Sequence, residues 1–211
     1  MSNKATAPWQ ASWHCRNCDA VHRLSTRRAL IPFKKRCGYQ FLKTPKNGDC
    51  FFTSICASVR PTVKVSQLRK YVSNNFGEEH LDFYKIMATV GGEEYGWAVD
   101  LEKSGCLKNI KTIKKILMME GSIVGCNDCI WADSFAIAIV GETLNINILL
   151  IDMARSKNES PYRFLYKTNE KRRYVVLKLQ GFHYQPLMYN NKPIYDVLTD
   201  LPDSIRTLWK L

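Results

Sequence analysis

The segment KNGDCFFTSICAS, residues 46 to 58, places a cysteine between an Asn-Gly-Asp turn and an apolar run. The apolar residues of the run recur at helical spacing, which predicts that a helix begins near Cys50. A helix N-terminus presents unpaired N–H groups and partial positive charge, and both favour a thiolate. Cys50 is therefore a candidate nucleophile, and the alternative is a thiol that fills the core.

A nucleophilic thiol needs a base, and histidine is the usual one. The chain has four histidines. His14 and His22 lie among the N-terminal cysteines, and His80 lies in the polar stretch GEEH. His183 follows a strand-like run in GFHYQPL, which would hold a base rigidly. We therefore take His183 as the candidate base, against the alternative that it is a buried residue with satisfied contacts.

The residues before the cysteine could also do chemistry. The backbone of Gly48, Asp49 and Cys50 could direct N–H groups at a developing oxyanion, because glycine at position 48 permits a tight turn. Asp49 is also placed to cap the helix that begins at Cys50. The sequence thus predicts an oxyanion loop at Gly48 and Asp49.

Three motifs occur in a fixed order along the chain: NGDCFFTS at 47–54, WADSFAIAIVGETLNINILLI from Trp131, and HYQPL at 183–187. Each alone is a weak signal, but together and in this order they resemble the ovarian-tumour (OTU) family of cysteine proteases, which are deubiquitinases. The resemblance extends from about residue 40 to residue 187. A compact chain with so reduced a pattern is typical of the viral or pathogen type.

The resemblance implies that Cys50 is the nucleophile and His183 its base, with no cofactor needed for catalysis. It implies ubiquitin or polyubiquitin, or a ubiquitin-like modifier, as the partner. Trp131 and Asp133 are expected beside the site as neighbours that do not catalyse. Trp131 and Tyr184 are the candidate substrate contacts.

Two residues depart from the family pattern. Asn47 stands where the family usually has Asp, and Gln185 stands where it usually has Asn or Asp. Gln185 shares a strand face with His183, whereas Asn47 has one fewer rotatable bond. Both remain candidates to orient the imidazole of His183. The departures also keep open a catalytically dead ubiquitin binder.

The remaining cysteines have spacings that suit zinc, because two thiolates from one tight turn occupy adjacent tetrahedral corners. The N-terminal candidates are Cys15, Cys18, His22 and Cys37, and a second pair is Cys126 and Cys129. The N-terminal set could hold its own structural zinc, the two pairs could meet in one site, or none could bind metal. Cys56 and Cys106 are interpreted as core or incidental thiols.

Composition sets the class of protein. The chain has 211 residues, 45% hydrophobic and 24% charged, with a net charge of +12. These values indicate one globular domain. We expect residues 1–38 to be a basic Cys/His-rich N-terminal segment, a possible zinc knuckle, and residues 39–211 to be the OTU-like catalytic domain that the resemblance implies. The charge favours an anionic partner, so the alternative function is a basic zinc-knuckle nucleic-acid-binding protein. We see no signal peptide or membrane span, and expect a cytoplasmic or nuclear protein with reduced thiols.

Helices and strands must position these residues. Along the chain, the predicted helices come mostly first and the predicted strands mostly last. Apolar periodicity predicts helices from Cys50, from a cap at Ser66, over 78–89, over 108–119 and from Asp133. Short apolar or alternating runs predict strands at 40–42 and 145–152, and a hairpin of 162–167 with 173–180. This order predicts an α+β fold, OTU-like and papain-type, with a helical region packed on a small, mostly antiparallel sheet.

Overall fold

The computed structural model describes residues 12–15, 20–23, 38–59, 62–91, 96–124, 128–152, 162–165, 172–209 and 211. For 12–15, 20–23, 162–165 and 208–209 it describes the backbone only. Among the described residues, helices and a mixed sheet both occur, so the predicted α+β class is confirmed.

The helices are α1 Cys50–Ser58, α2 Val65–Asn74, α3 Glu78–Val90, α4 Gly96–Lys103, α5 Ile110–Met118, α6 Gly121–Val124, α7 Ser134–Thr143 and α8 Asp203–Trp209. The strands are β1 Ser12–Cys15, β2 Ala20–Arg23, β3 Tyr39–Phe41, β4 Ile146–Asp152, β5 Tyr162–Leu165, β6 Arg173–Gln180, β7 His183–Tyr189 and β8 Ile194–Tyr195. Among the described elements, helices α1 to α7 therefore fill the middle of the chain with strands on both sides, and α8 follows the last strand.

Two compact units divide the chain. The helical unit takes in the described residues of 45–56 and 62–143, and the sheet unit those of 1–44, 57–61 and 144–211. Cys50 belongs to the helical unit and His183 to the sheet unit.

Helix α2 begins one residue earlier than its predicted cap. Ser66 is exposed within the helix, and the N-cap is Lys64 in an extended conformation. The Lys64 N–H donates to the side-chain oxygen of Gln67 at 2.9 Å, which satisfies one of the donors at the helix start. The predicted Ser66 cap is thus wrong, because Lys64 is the N-cap and the side chain of Gln67, in the first turn of the helix, accepts its N–H.

The larger sheet has the order β3-β7-β6-β4-β5, and β8 also pairs with β6. Strands β4 and β6 are parallel, whereas the other pairs of this sheet are antiparallel. The prediction of a mostly antiparallel sheet is confirmed. All seven residues of β4 are buried, as its mostly apolar, β-branched sequence predicts, and the buried residues include the polar Asn147 and Asp152.

The predicted hairpin between 162–167 and 173–180 is wrong. β5 pairs with β4, and β4 lies between β5 and β6. The physical reason is that a fully buried strand needs a partner on both edges. β6 takes one edge of β4 in parallel, and β5 takes the other.

One core cluster of the sheet unit lies on the face of the sheet to which alternate residues of β6 and β7 point. Its buried members are Tyr39, Leu149, Ile151, Tyr174, Val176, Leu187, Tyr195, Leu201 and Ile205. The hydroxyl of Tyr39 on β3 bonds the hydroxyl of Ser204 on α8. Helix α8 is therefore anchored on the face of the sheet that also carries His183.

β1 and β2 form a two-stranded antiparallel ladder in which Cys15 opposes Ala20 and His22 opposes Trp13. Most of residues 1–37 lie outside the described ranges, so their assignment as a separate basic segment stays a prediction. Within the ranges that the structure describes, no helix is both long and apolar enough to cross a membrane.

Candidate active site

Cys50 is the first residue of α1, where the sequence predicts it. Its side chain is buried, with the residue 2% exposed. Its N–H donates to the carbonyl oxygen of Asn47 at 3.2 Å. The thiol thus lies at the positive end of a nine-residue helix, an environment that favours a thiolate.

The side chain of Asn47 folds onto the same loop. Its Oδ1 accepts the N–H of Asp49 at 3.0 Å. The N–H groups of Asp49 and Cys50, which are candidate oxyanion donors, therefore both donate to Asn47 in this structure. The oxyanion role stays a prediction, and it requires these two bonds to open when a substrate enters.

Gly48 has a structural role that differs from the predicted one. It is not among the glycines with positive φ, so a turn does not require it. A Cβ at Gly48 would lie 2.1 Å from the sulfur of Cys129 and 3.5 Å from Nε1 of Trp131. A Cβ at Gly121 would in turn lie 2.7 Å from Cα of Gly48. Glycine is needed here because two backbones and a sulfur approach closely.

A fully buried arginine on α2 holds this loop. The guanidinium of Arg69 donates to the Gly48 carbonyl at 2.9 Å and to the Asp49 carboxylate at 2.7 Å. It also donates to the carbonyls of Leu117 at 3.2 Å and Ile130 at 3.1 Å. One side chain thereby ties the cysteine loop to the end of α5 and to the segment before α7.

Asp49 therefore does not act as the predicted helix cap. Besides Arg69, its carboxylate accepts the N–H of Ser122 at 2.9 Å and that of Gly121. Burial alone would raise the pKa of Asp49, but the bonds from Gly121, Ser122 and Arg69 outweigh it and lower the pKa. Asp49 is thus a carboxylate that anchors the loop.

Trp131 and Asp133 lie in the same unit as Cys50. Trp131 approaches Gly48, as described above. Asp133 accepts the hydroxyl of Tyr84 at 2.9 Å and caps α7 through the N–H of Ala136 at 2.9 Å. Burial raises the pKa of Asp133. These two bonds give Asp133 a structural role.

In the sheet unit, His183 is the first residue of β7. Its Nε2 lies 3.5 Å from the hydroxyl oxygen of Thr44, and that hydroxyl donates to the carbonyl of Tyr184 at 2.6 Å. The amide of Gln185 donates to the carbonyl of Leu42 at 3.3 Å. Tyr184 itself is 8% exposed, and its role as a substrate contact stays a prediction.

His80 has a different position. Its Nδ1 accepts the N–H of Gly77 at 3.0 Å, and its ring contacts that of Phe135 in a tilted arrangement with centroids 4.0 Å apart. A ring nitrogen that satisfies the start of α3 already has a structural task. This arrangement favours His183 over His80 as the base.

The predicted zinc site is not covered by the structure. Cys18, Cys37 and Cys126 lie outside the described residues, and for Cys15 and His22 only the backbone is described. Among the side chains that are described, no group of three or more His, Cys, Asp or Glu could hold a metal ion. The structural zinc stays a prediction.

Sequence reasoning missed two residues of these sites. Arg69 lies next to Lys70 in SQLRKY and resembles a solvated helix charge. In the sequence, only the apolar residues Leu68 and Val72, one before and three after Arg69, indicate that this side of the helix is buried, and both are fully buried. Thr44 carries no motif signal.

No protein-family model matches the chain, and no curated protein matches it. Several solved structures are similar. An OTU domain in complex with ubiquitin is 18% identical, with a TM-score of 0.48, and the match covers 81% of each chain.

Two further similar structures come from a virus and a bacterium. The viral OTU domain protease of Dera Ghazi Khan virus is 17% identical, with a TM-score of 0.42, and covers 72% of this chain and 81% of its own. An OTU deubiquitinase of Wolbachia pipientis bound to ubiquitin is 16% identical, with a TM-score of 0.47. The match covers 74% of this chain and 98% of the Wolbachia chain.

Proposed function

We propose that the protein is a cysteine isopeptidase that hydrolyses conjugates of ubiquitin or of a ubiquitin-like modifier. The observation that carries the proposal is the placement of Cys50 at the N-terminus of α1, in a loop held by the buried Arg69–Asp49 pair. A core thiol would not need its preceding backbone fixed by a charged side chain. A nucleophile does, because its position relative to the substrate carbonyl decides the rate.

In the proposed reaction the Cys50 thiolate attacks the carbonyl carbon at the modifier's C-terminus. His183 takes the thiol proton and then gives it to the departing lysine amine, which leaves a thioester on Cys50. Water hydrolyses the thioester and regenerates the thiol. The pairing of Cys50 with His183 rests on the order of the three motifs, and the backbone of Gly48 and Asp49 is the proposed oxyanion site.

The low exposure of Cys50 restricts the substrate. A thiol that is 2% exposed can be reached only by a thin segment. A tail that ends in Gly-Gly has no side chains and suits such access. The same burial would also suit a catalytically dead ubiquitin binder, so the test has to separate binding from cleavage.

The test is labelling by a ubiquitin probe with a reactive C-terminus, followed by turnover of a di-ubiquitin panel. We expect covalent labelling of the wild type and none of Cys50→Ala. Cys56→Ala is the matched control, because burial raises the pKa of the Cys56 thiol to about 11 and keeps it protonated. Noncovalent association alone would indicate a dead binder, and no association would favour the nucleic-acid alternative.

The base is tested with two histidine variants. We expect His183→Ala to lose activity by at least about 1,000-fold, because nucleophile and base act as a unit. His80→Ala should keep most of its turnover at lower stability, since it loses the bond from Gly77. An inactive His80→Ala beside an active His183→Ala would mean that the wrong histidine had been assigned.

A further inference from the structure

The position of Thr44 relative to β7 carries an inference about the base, and it rests on the proposed function. The hydroxyl oxygen of Thr44 contacts one group of His183 and one group of the next residue, Tyr184. It is 2.6 Å from the carbonyl oxygen of Tyr184 and 3.5 Å from Nε2 of His183. All three residues belong to the sheet unit.

Proton counting fixes the roles of these atoms. A carbonyl oxygen only accepts, so the single hydroxyl proton of Thr44 is committed to Tyr184 at 2.6 Å. Towards His183 the hydroxyl can then offer only a lone pair. A ring in contact with it must carry its proton on Nε2, and this leaves Nδ1 of the neutral imidazole to take a proton from a thiol.

We propose that Thr44 positions His183 by accepting a hydrogen bond from Nε2–H. This is the part that a neighbouring amide or carboxylate plays in other thiol and serine enzymes. The threonine χ1 angle is stiff, and its hydroxyl is held by the backbone of the same strand that carries the histidine. The contact of 3.5 Å is long, as hydrogen bonds of catalytic groups often are before substrate binds.

Each of the two sequence candidates for this role has a side-chain bond to backbone, and the Gln185→Ala variant in the kinetic arm compares the amide oxygen of Gln185 with Thr44. The amide nitrogen of Gln185 donates to the carbonyl of Leu42, and Oδ1 of Asn47 accepts the N–H of Asp49. Both bonds hold backbone in place. Thr44 has the hydroxyl whose remaining lone pair faces the imidazole.

The first arm of the test does not depend on catalysis. In protein labelled with ¹⁵N-histidine, we expect the wild-type ring of His183 to show an Nε2-bound proton that exchanges slowly with water. Thr44→Val keeps the shape and removes the acceptor, and should speed that exchange at least about 10-fold. Thr44→Ser should restore slow exchange. Unchanged exchange in Thr44→Val overturns the proposal, whether or not the protein is an enzyme.

The second arm is kinetic. For Thr44→Val we expect kcat on di-ubiquitin to fall about 10-fold to 100-fold with little change in KM, and Thr44→Ser to recover most of the loss. Thr89→Val is the control, because the hydroxyl of the exposed Thr89 on α3 also donates to a backbone carbonyl, that of Lys85. A wild-type kcat for Thr44→Val, or a larger loss in Gln185→Ala than in Thr44→Val, overturns the assignment. Inactive wild-type protein would count against the proposed function and leave the exchange result to decide on Thr44.

Discussion

Close approach of backbone, and not turn conformation, explains the glycine before the candidate nucleophile. A methyl group at Gly48 would clash with the sulfur of Cys129, while Gly121 and Trp131 would lie at contact distance from it. The loop before Cys50 is therefore packed as tightly as a core, although it belongs to a site that must admit a substrate. A single added carbon should displace it.

Gly48→Ala should lower both stability and activity. Its Cβ would lie 2.1 Å from the Cys129 sulfur, so overpacking should cost about 1–3 kcal/mol. Adding Cys129→Ala removes that sulfur, and the next neighbours lie at 3.4 Å or more. We expect the double variant to recover part of both losses in urea unfolding and probe labelling.

Gly121→Ala supplies the contrast. Its Cβ would meet the backbone of Gly48 at 2.7 to 2.9 Å, and backbone cannot be removed by a second substitution. Cys129→Ala should therefore not rescue it. Gly96→Ala is the control, because a Cβ there meets nothing within 4 Å. Equal rescue of both glycine variants by Cys129→Ala would contradict the packing explanation.

At the scale of elements, α2 stabilises the cysteine loop through Arg69. Arginine offers five N–H donors in a planar fork, whereas lysine offers three on one atom. Arg69→Lys keeps the charge opposite Asp49 but cannot reach four acceptors at once. We expect it to lose about 2–4 kcal/mol of unfolding free energy and most of the labelling at Cys50.

The matched control for this prediction is Arg206→Lys. Arg206 forms a part-exposed pair with Asp203 three residues away on α8. Such pairs contribute little, so the change should stay within about 0.5 kcal/mol. If urea unfolding shows Arg69→Lys to be as stable as Arg206→Lys, the guanidinium is not what holds the loop.

Elements with a strong period were predictable from sequence. α3, α5 and β4 have boundaries within about two residues of those expected, because a buried face imposes its spacing on the chain. Partner choice was not predictable in the same way. β5 alternates as a hairpin strand would, but its partner is decided by which edge of β4 is open.

The site was predictable where a motif marks it and not elsewhere. The motifs predicted that Cys50 begins a helix and that His183 lies at or near a strand end, and the structure places them at the start of α1 and of β7, while their catalytic roles and their pairing stay proposals. Arg69 was missed because a charged residue next to Lys70 is normally interpreted as an exposed helix residue, and only the structure reveals that it is buried. Thr44 was missed because its two contacts are with residues about 140 positions away in sequence.

At the scale of the whole molecule, the lowered pKa of Asp49 should make the stability of the fold sensitive to acid. Its folded pKa lies below the ordinary value of 3.8, so its stabilising effect is fully present above that value and is lost as pH falls through the folded pKa. Asp49→Asn should be less stable near neutral pH and should lose less stability from about pH 4 to about pH 2. Urea unfolding across that range measures it.

Protonation of Asp133 changes the folding stability in the opposite direction to protonation of Asp49. Its raised pKa means that the folded state binds the proton more tightly, so protonation there adds stability as pH falls. The comparison of Asp49→Asn with wild type cancels this contribution. Parallel acid curves for the two proteins would show that the Asp49 carboxylate does not contribute as its bonds indicate.

The metal prediction also concerns the whole chain. We expect about one zinc ion per chain in protein purified without chelator, held by thiolates that include Cys15 and Cys18. The double variant Cys15→Ser/Cys18→Ser should lose the metal. Cys106→Ser should keep it, because Cys106 lies in a short 3-10 turn of the helical unit. No zinc in a folded sample would leave these cysteines as ordinary thiols.

The interleaving of the two units sets an order of events during synthesis. β3 is made early, but it pairs with β7, and Tyr39 bonds a serine 165 positions later. At ribosomal rates that wait is roughly 10 to 30 s. The helical unit between them can form meanwhile, while an edge strand stays exposed to wrong partners. Chaperone demand on the nascent chain should therefore fall once β7 has emerged.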